Sequence, residues 1–331
     1  MADAVTVFSS ADDGAPQIID RKPSEVLAVL QACLVDGYGS KAPLGWTKEF
    51  EDVGAVEAVF RNSPADGGSG GYFKFQLGST DTSHTLCSIT PAMSMTDIDT
   101  FILPGYRTFI AASSTHWTNW MVLGTKHAFY LILGDANNLT LGARRVALEN
   151  QMFVGDFIAN IPNDQAKFIA IGTCIAKGAN VNTINYNVCF ASWWRNRINR
   201  PVTAGLKTYG VDGDATPVDG GIYTPDGAWN EYDRAQAAHT QQGIYVKTYV
   251  GVFNVSPGAN NKDLNGDFNT NSRVYPALRG SLPGLLTEVY SSVDNYSADT
   301  YPAYRDVNGQ AHLLLRQPNV SFDIRLNTVE W

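Results

Sequence analysis

The sequence has no cluster of basic residues. Lysine and arginine total 24 against 32 aspartates and glutamates, a formal net charge of −8. A nucleic-acid groove needs grouped cations to replace phosphate counterions, so no nucleic-acid partner is expected. The densest stretch, Trp193-Trp194-Arg195-Asn196-Arg197-Ile198-Asn199-Arg200, stands alone. It reads as a strand end with solvated or ion-paired arginines rather than as a base-stacking platform. Long apolar runs are missing too. None approaches the ~20 residues that cross a bilayer, so no membrane partner is expected. The opening MADAVTVFSS puts Asp3 where a secretory leader would be basic, and folding in a cytoplasm is the expectation. The four cysteines, Cys33, Cys87, Cys174 and Cys189, form no CxxC spacing and sit in apolar contexts. They read as buried free thiols, with a Cys174–Cys189 pairing left open. Charged residues make up 17% of the chain against a typical ~25%. Such a chain stays soluble through Ser, Thr, Asn and Gly, or covers its surface by association.

What the sequence does have is short strand patterns. Val5, Val7 and Phe8 suggest a first strand and Asp12-Asp13-Gly14-Ala15-Pro16 a turn. Pro23 opens a helix whose apolar face is Val26, Leu27, Leu30 and Leu34, and Gly37 and Gly39 end it. Two hairpins are legible. Ala55–Arg61 returns through a Gly-rich turn into Tyr72, Phe73, Phe75 and Leu77. Asn119–Leu123 returns through Gly124-Thr125-Lys126 into HAFYLIL, which is apolar on both faces and fits a sandwich interior or a covered interface. Further strands are predicted at Gln151–Ile158, Lys167–Cys174, Val188–Trp194, Tyr245–Phe253, His312–Leu315 and Val320–Leu326. The fold class is mainly β, an antiparallel sandwich or barrel-like domain with a short N-terminal helix. Residues 1–50 form a strand and helix packed on the main domain. Residues 51–204 form a β-rich core. Residues 205–245, punctuated by Gly, Asp, Thr and Pro, read as a long loop or insertion with a helix near Glu231–Gln242. Residues 246–331 complete the β domain.

Catalytic patterns are matched only superficially. Gly67-Gly68-Ser69-Gly70-Gly71 satisfies G-x-S-x-G, but a nucleophile elbow leads from strand to helix, and here a strand follows. Asp263, Asn265 and Asp267 alternate like the start of a calcium loop and are the candidate metal ligands. The pattern then fails at Phe268 and Val274, where glycine and glutamate are required, so an Asn/Asp-rich turn is the favoured reading. No cofactor is expected. His84, His116, His127, His239 and His312 lack zinc-site spacing, and His116 and His127 read as packing residues. No carboxylate pair is singled out for glycoside hydrolysis. Trp46, Trp117, Trp120, Trp193 and Trp194 are the interface or packing candidates; exposed tryptophans could also stack sugars.

Three segments carry a family resemblance: SADDGAP at residues 10–16, VLQACLVDGYGSKAPLGWTKEF at 29–50 and AVFRN at 58–62. MSMTDIDT at 93–100 and VYPALRGSLPGLL at 274–286 are weaker echoes. Together they resemble the N-terminal signature of an uncharacterised family of tailed-bacteriophage virion proteins. The chain departs from the pattern by a longer segment before AVFR and by the 205–245 insertion. The resemblance implies a non-enzymatic structural subunit of the head surface (decoration or capsid stabilisation) or of the tail and baseplate. It would be made in the host cytoplasm, be homo-oligomeric and have other phage structural proteins as partners. A carbohydrate-binding or receptor-binding tip that recognises a host-surface glycan is the alternative, and a glycan-degrading enzyme the third choice. Within the signature, Gly37-Tyr38-Gly39 is expected to stop the helix and Trp46 to anchor the first strand against the helix.

Overall fold

A computed structural model of the chain describes residues 2–83, 85–110, 117–135, 150–172, 174–176, 206–223, 244–252, 277–290, 300–315 and 324–331. Among them the order is β1 (Thr6–Ser9), α1 (Pro23–Gln31), a π-helical turn (Ala32–Asp36), β2 (Thr47–Asp52), β3 (Glu57–Arg61), β4 (Tyr72–Leu77), β5 (Cys87–Met95), β6 (Phe101–Pro104) and β7 (Arg107–Ile110). The middle holds β8 (Trp117–Gly124), β9 (Ala128–Asp135), β10 (Asn150–Asp156), β11 (Ile158–Ala159), β12 (Phe168–Ile171) and β13 (Cys174–Ala176). The chain continues with β14 (Leu206–Tyr209), β15 (Pro217–Tyr223), β16 (Ile244–Val252), β17 (Ala277–Tyr290), β18 (Tyr304–Val307), β19 (Gln310–Leu315) and β20 (Ile324–Asn327).

These strands pair antiparallel into three sheets. A five-stranded sheet runs β1-β8-β9-β10-β12. A seven-stranded sheet runs β13-β7-β5-β4-β3-β2, with β6 on β5. An eight-stranded sheet runs β14-β15-β16-β17-β20-β19-β18, with β11 on β17. The five-stranded sheet is the middle layer, because side chains alternate along a strand and both of its faces are buried. On β9, Phe129, Leu131 and Leu133 join a core shared with α1, β3, β4 and β5. Ala128, Tyr130 and Ile132 join a second core shared with β17, β19 and β20. The two-faced pattern HAFYLIL thus marks a sandwich interior.

Helix α1 starts at Pro23, whose missing N–H is no loss in the first turn. The Glu25 carboxylate accepts N–H bonds from Ile19, Asp20 and Lys22, and Asp81 accepts one from Ser24. Val26, Leu30 and Leu34 are buried as the periodicity predicts. Val29 and Cys33 are buried beside them, and Leu27 is half-buried. The helix ends in a π turn in which Gly37 N–H bonds the Ala32 carbonyl. Gly37 has φ +76°, and a Cβ there would lie 2.6 Å from the Lys41 carbonyl oxygen, so only glycine fits.

Both predicted hairpins form, as β3–β4 and β8–β9. One expectation is overturned. Residues 206–223 are not loop: β14 and β15 form a hairpin that joins the eight-stranded sheet through β16. The predicted helix at Glu231–Gln242 and the strand at Val188–Trp194 lie outside the described residues.

Trp46 lies between the middle and the seven-stranded sheets and is 3% exposed. Its indole N–H donates to the Thr125 carbonyl at 3.1 Å, and its ring meets Phe73, Phe129 and Phe168 at centroid distances of 5.7, 5.4 and 6.1 Å. Trp46→Ala should lower stability by about 3–5 kcal/mol in denaturant titration, the range for emptying a large aromatic site. An unchanged midpoint would show that the two sheets do not close on this ring.

Candidate functional site

Two polar joints are built from residues that the sequence singles out. The first unites the segments that carry the family resemblance. Asp12 Oδ2 accepts hydrogen bonds from Ser9 N (2.8 Å) and Tyr38 Oη (2.8 Å), and lies 3.0 Å from Lys41 Nζ. Lys41 also donates to the Val7 carbonyl. The Tyr38 ring packs on Phe8 at 5.7 Å and edge-on to Trp120 at 6.1 Å. The backbones of the two segments touch: a Cβ on Gly39 would collide with the Asp13 carbonyl oxygen. SADDGAP and GYGSK are therefore two halves of one corner. Burial alone would raise the Asp12 carboxyl, but the hydrogen bonds from Tyr38, Lys41 and Ser9 outweigh it and hold the group below its ordinary value. Burial, joined by the bond to Asp12, pushes the Tyr38 phenol up.

The second joint is the Gly-rich turn. Asp156 Oδ2 accepts the Ser69 N–H at 2.8 Å, and Asp156 Oδ1 accepts the Ser69 hydroxyl at 2.5 Å. Ser69 Oγ in turn accepts the Gly71 N–H at 3.2 Å. Asn62 takes the Gly70 N–H on its Oδ1 and donates its Nδ2 to the His127 carbonyl. Lys167 Nζ lies 3.5 Å from Asp156. Burial raises the Asp156 carboxyl, and the Ser69 bonds and Lys167 only partly offset it. A Cβ on Gly71 would overlap Phe168, so the turn presses directly on β12.

This geometry decides the G-x-S-x-G match. A serine nucleophile needs a base that takes its proton. The Ser69 hydroxyl donates to a buried carboxylate, and the turn leads into strand β4 rather than into the helix of a nucleophile elbow. The imidazole of His127 points elsewhere, with Nδ1 2.7 Å from Asp3 Oδ2 and Nε2 2.9 Å from the Asp66 carbonyl oxygen. The motif is a β3–β4 turn clamped to the end of β10.

Of the tryptophans, Trp46 and Trp120 are both buried in the core between the middle and seven-stranded sheets. Trp120 Nε1 donates to the Pro16 carbonyl at 2.9 Å. Neither presents a ring face to a sugar. Trp117 lies on β8. Trp193 and Trp194 lie outside the described residues, as do Asp263, Asn265 and Asp267. Among the described residues no His, Cys, Asp and Glu cluster has metal-site geometry. Cys33 and Cys87 are buried free thiols, pushed up by burial. A cavity of about 20 Å³, lined by Ile18, Pro23, Val26, Cys87, Ile110 and Leu133 among others, has room for about one water molecule.

Sequence reasoning missed two polar contacts. Arg279 on β17 makes a buried two-pronged ion pair with Asp164, both bonds at 2.6 Å. Lys74, 4% exposed, sits between Glu57 at 2.6 Å and Asp99 at 2.7 Å. Their partners are remote in sequence, so no local pattern marks them. No family model matches the chain, and no curated protein matches it.

Two outcomes test the joints. Ser69→Ala should cost about 1–3 kcal/mol in denaturant titration, because Asp156 stays buried with one donor fewer. Asp12, held below its ordinary value of 3.8, adds stability above that pH, and the contribution is lost as pH falls through the lower folded-state value. The stability gap between the native chain and Asp12→Asn should therefore be widest above pH 3.8 and narrow on acidification. A gap that widens towards acid pH would refute the assignment.

Proposed function

We propose that the chain is a non-enzymatic structural subunit of a tailed-phage virion, placed on the head surface or in the tail and baseplate. The observation that carries the reading is the first joint. Within the segments that resemble the phage family, Asp12, Tyr38 and Lys41 spend polar groups on one another, and the Tyr38 and Trp46 rings pack on the core. Asp12, Tyr38 and Lys41, joined by the N–H of neighbouring Ser9, form one corner, and Trp46 is buried in the core. Residues used in this way preserve a shape, and shape is what a subunit repeated in a lattice or ring must keep.

Association with further copies and with other phage structural proteins is part of the proposal. Its support is the low charge fraction of 17% and the exposed aliphatics Ile158 on β11 and Leu278 on β17, 46% and 45% exposed on paired strands. Little charge there would have to be stripped of water on association. The subunit is made in the host cytoplasm and ends in the virion.

The test is mass spectrometry and cryo-electron microscopy of purified phage particles that carry the gene. The expected result is the chain in stoichiometric amount, with density matching three stacked sheets on the head or at the tail. Particles that lack the chain would overturn the proposal and favour the glycan-binding or glycan-degrading readings.

A further inference from the structure

The tip of the β18–β19 hairpin is a two-residue turn, Asn308-Gly309, between the paired residues Val307 and Gln310. Both turn residues have positive φ, +54° and +81°, as a type I′ turn requires. Both are exposed, and a Cβ on Gly309 would meet nothing within 4 Å. Asn-Gly is chemically the least protected setting for an asparagine, because no side chain on the following residue hinders attack by its backbone nitrogen.

We propose that Asn308 is a spontaneous deamidation site that Asp306 holds shut. In the reaction, Gly309 N loses its proton to solvent and attacks Asn308 Cγ. The N–Cγ bond forms, the Cγ–Nδ2 bond breaks and ammonia leaves, which closes a succinimide ring. Water then opens the ring at either carbonyl, giving aspartate or isoaspartate. One water is consumed and one ammonia released, with no change of oxidation state.

The guard is the hydrogen bond from Gly309 N to Asp306 Oδ1, 2.8 Å long. The peptide unit is planar, so the N–H points along one fixed direction. In the ring, Cγ takes the place of that hydrogen. The Asp306 oxygen therefore occupies the approach that Cγ needs. It also places a carboxylate beside a nitrogen that would have to become anionic, which opposes loss of the proton. Opening the guard would turn a hairpin tip into isoaspartate. The extra backbone methylene would then break the two-residue register that aligns β18 with β19.

The experiment is peptide mapping of the full chain during incubation at neutral pH, resolving the peptides that carry asparagine, aspartate and isoaspartate at position 308. The native fold should deamidate at Asn308 many-fold more slowly than the same chain unfolded in urea. Asp306→Ala should speed the folded-state reaction several-fold, and Asp306→Asn, which keeps an acceptor oxygen but loses the charge, should speed it less. Asn265-Gly266, the other Asn-Gly pair in the sequence, should not respond to either substitution. Two results would overturn the proposal: a native rate equal to the unfolded rate, or a folded Asp306→Ala chain no faster than native. The urea comparison needs no variant, so a native rate equal to the unfolded rate overturns the proposal even if a substitution disturbs folding.

Discussion

Strand β9 is buried on both faces, and this constraint organises the rest of the molecule. A strand with one apolar face can rest on a single layer and leave its other side in water. A strand that reads Ala-Phe-Tyr-Leu-Ile-Leu needs two covering layers. The chain supplies them from opposite ends of the sequence. Helix α1 and β2–β7 cover one face, and β14–β20 the other. The middle sheet draws its first strand from residues 6–9 and the rest from residues 117–171, so neither cover can be laid down without the other segments in place. Trp46 and Tyr130 are large side chains, one in each interface. Each solves the same problem, a polar atom on a buried ring, by reaching a backbone carbonyl: Thr125 for the indole and Pro283 for the phenol.

Stacking three sheets creates a second problem. Turns between layers carry backbone N–H groups that are shut off from water, and each needs a partner. The Gly-rich turn answers with a buried carboxylate. Asp156 is costly to bury, as its raised carboxyl shows, yet it satisfies the turn at Ser69 and ties β3–β4 to β10. Arg279 and Asp164 do the same between the 160–166 segment and β17, with the Tyr209 carbonyl taking a further bond from the guanidinium. A buried pair of this kind adds little net stability against an apolar replacement. Losing one partner is expensive, so it penalises any arrangement that separates the two.

Local patterns show which parts of this were legible in the sequence. Pro23, the 3.6-residue apolar face and the glycines after it define α1, because each signal acts within a few residues. The β3–β4 and β8–β9 hairpins are legible for the same reason. β15 and β17 are not, since PVDGGIY and ALRGSLPGLLTEVY contain the prolines and glycines that normally break strands. On β17, tertiary contacts excuse them. Gly280 lies under Phe157, and Gly284 under Trp331, where a Cβ would overlap the ring in each case. Pro283 falls where the pairing with β16 slips: Tyr249 faces Ser281 while Lys247 already faces Leu286. A proline in such a bulge has no ladder bond to lose. The corner made by Asp12, Tyr38 and Lys41 was half legible. The resemblance marked both segments, but only the fold shows that they meet.

That meeting bears on what a site in this protein can be. A ligand-binding signature leaves donors, acceptors or ring faces turned outward. Here Asp12, Tyr38 and Lys41 bond to one another and Trp46 is buried, while Asp13, Asp36, Ser40, Thr47 and Glu49 of the same segments are exposed. Asp12 is already matched by a phenol, an ammonium and an amide, and Ser69 by a carboxylate and an amide. The bonds that Asp156 makes to Ser69 tie the seven-stranded sheet to the middle one. An interface uses the outer surface that these contacts keep in shape. On physical grounds, then, the corner fixes how β1 and the chain leading into β2 meet, and Asp156 fixes how the β3–β4 turn meets β10.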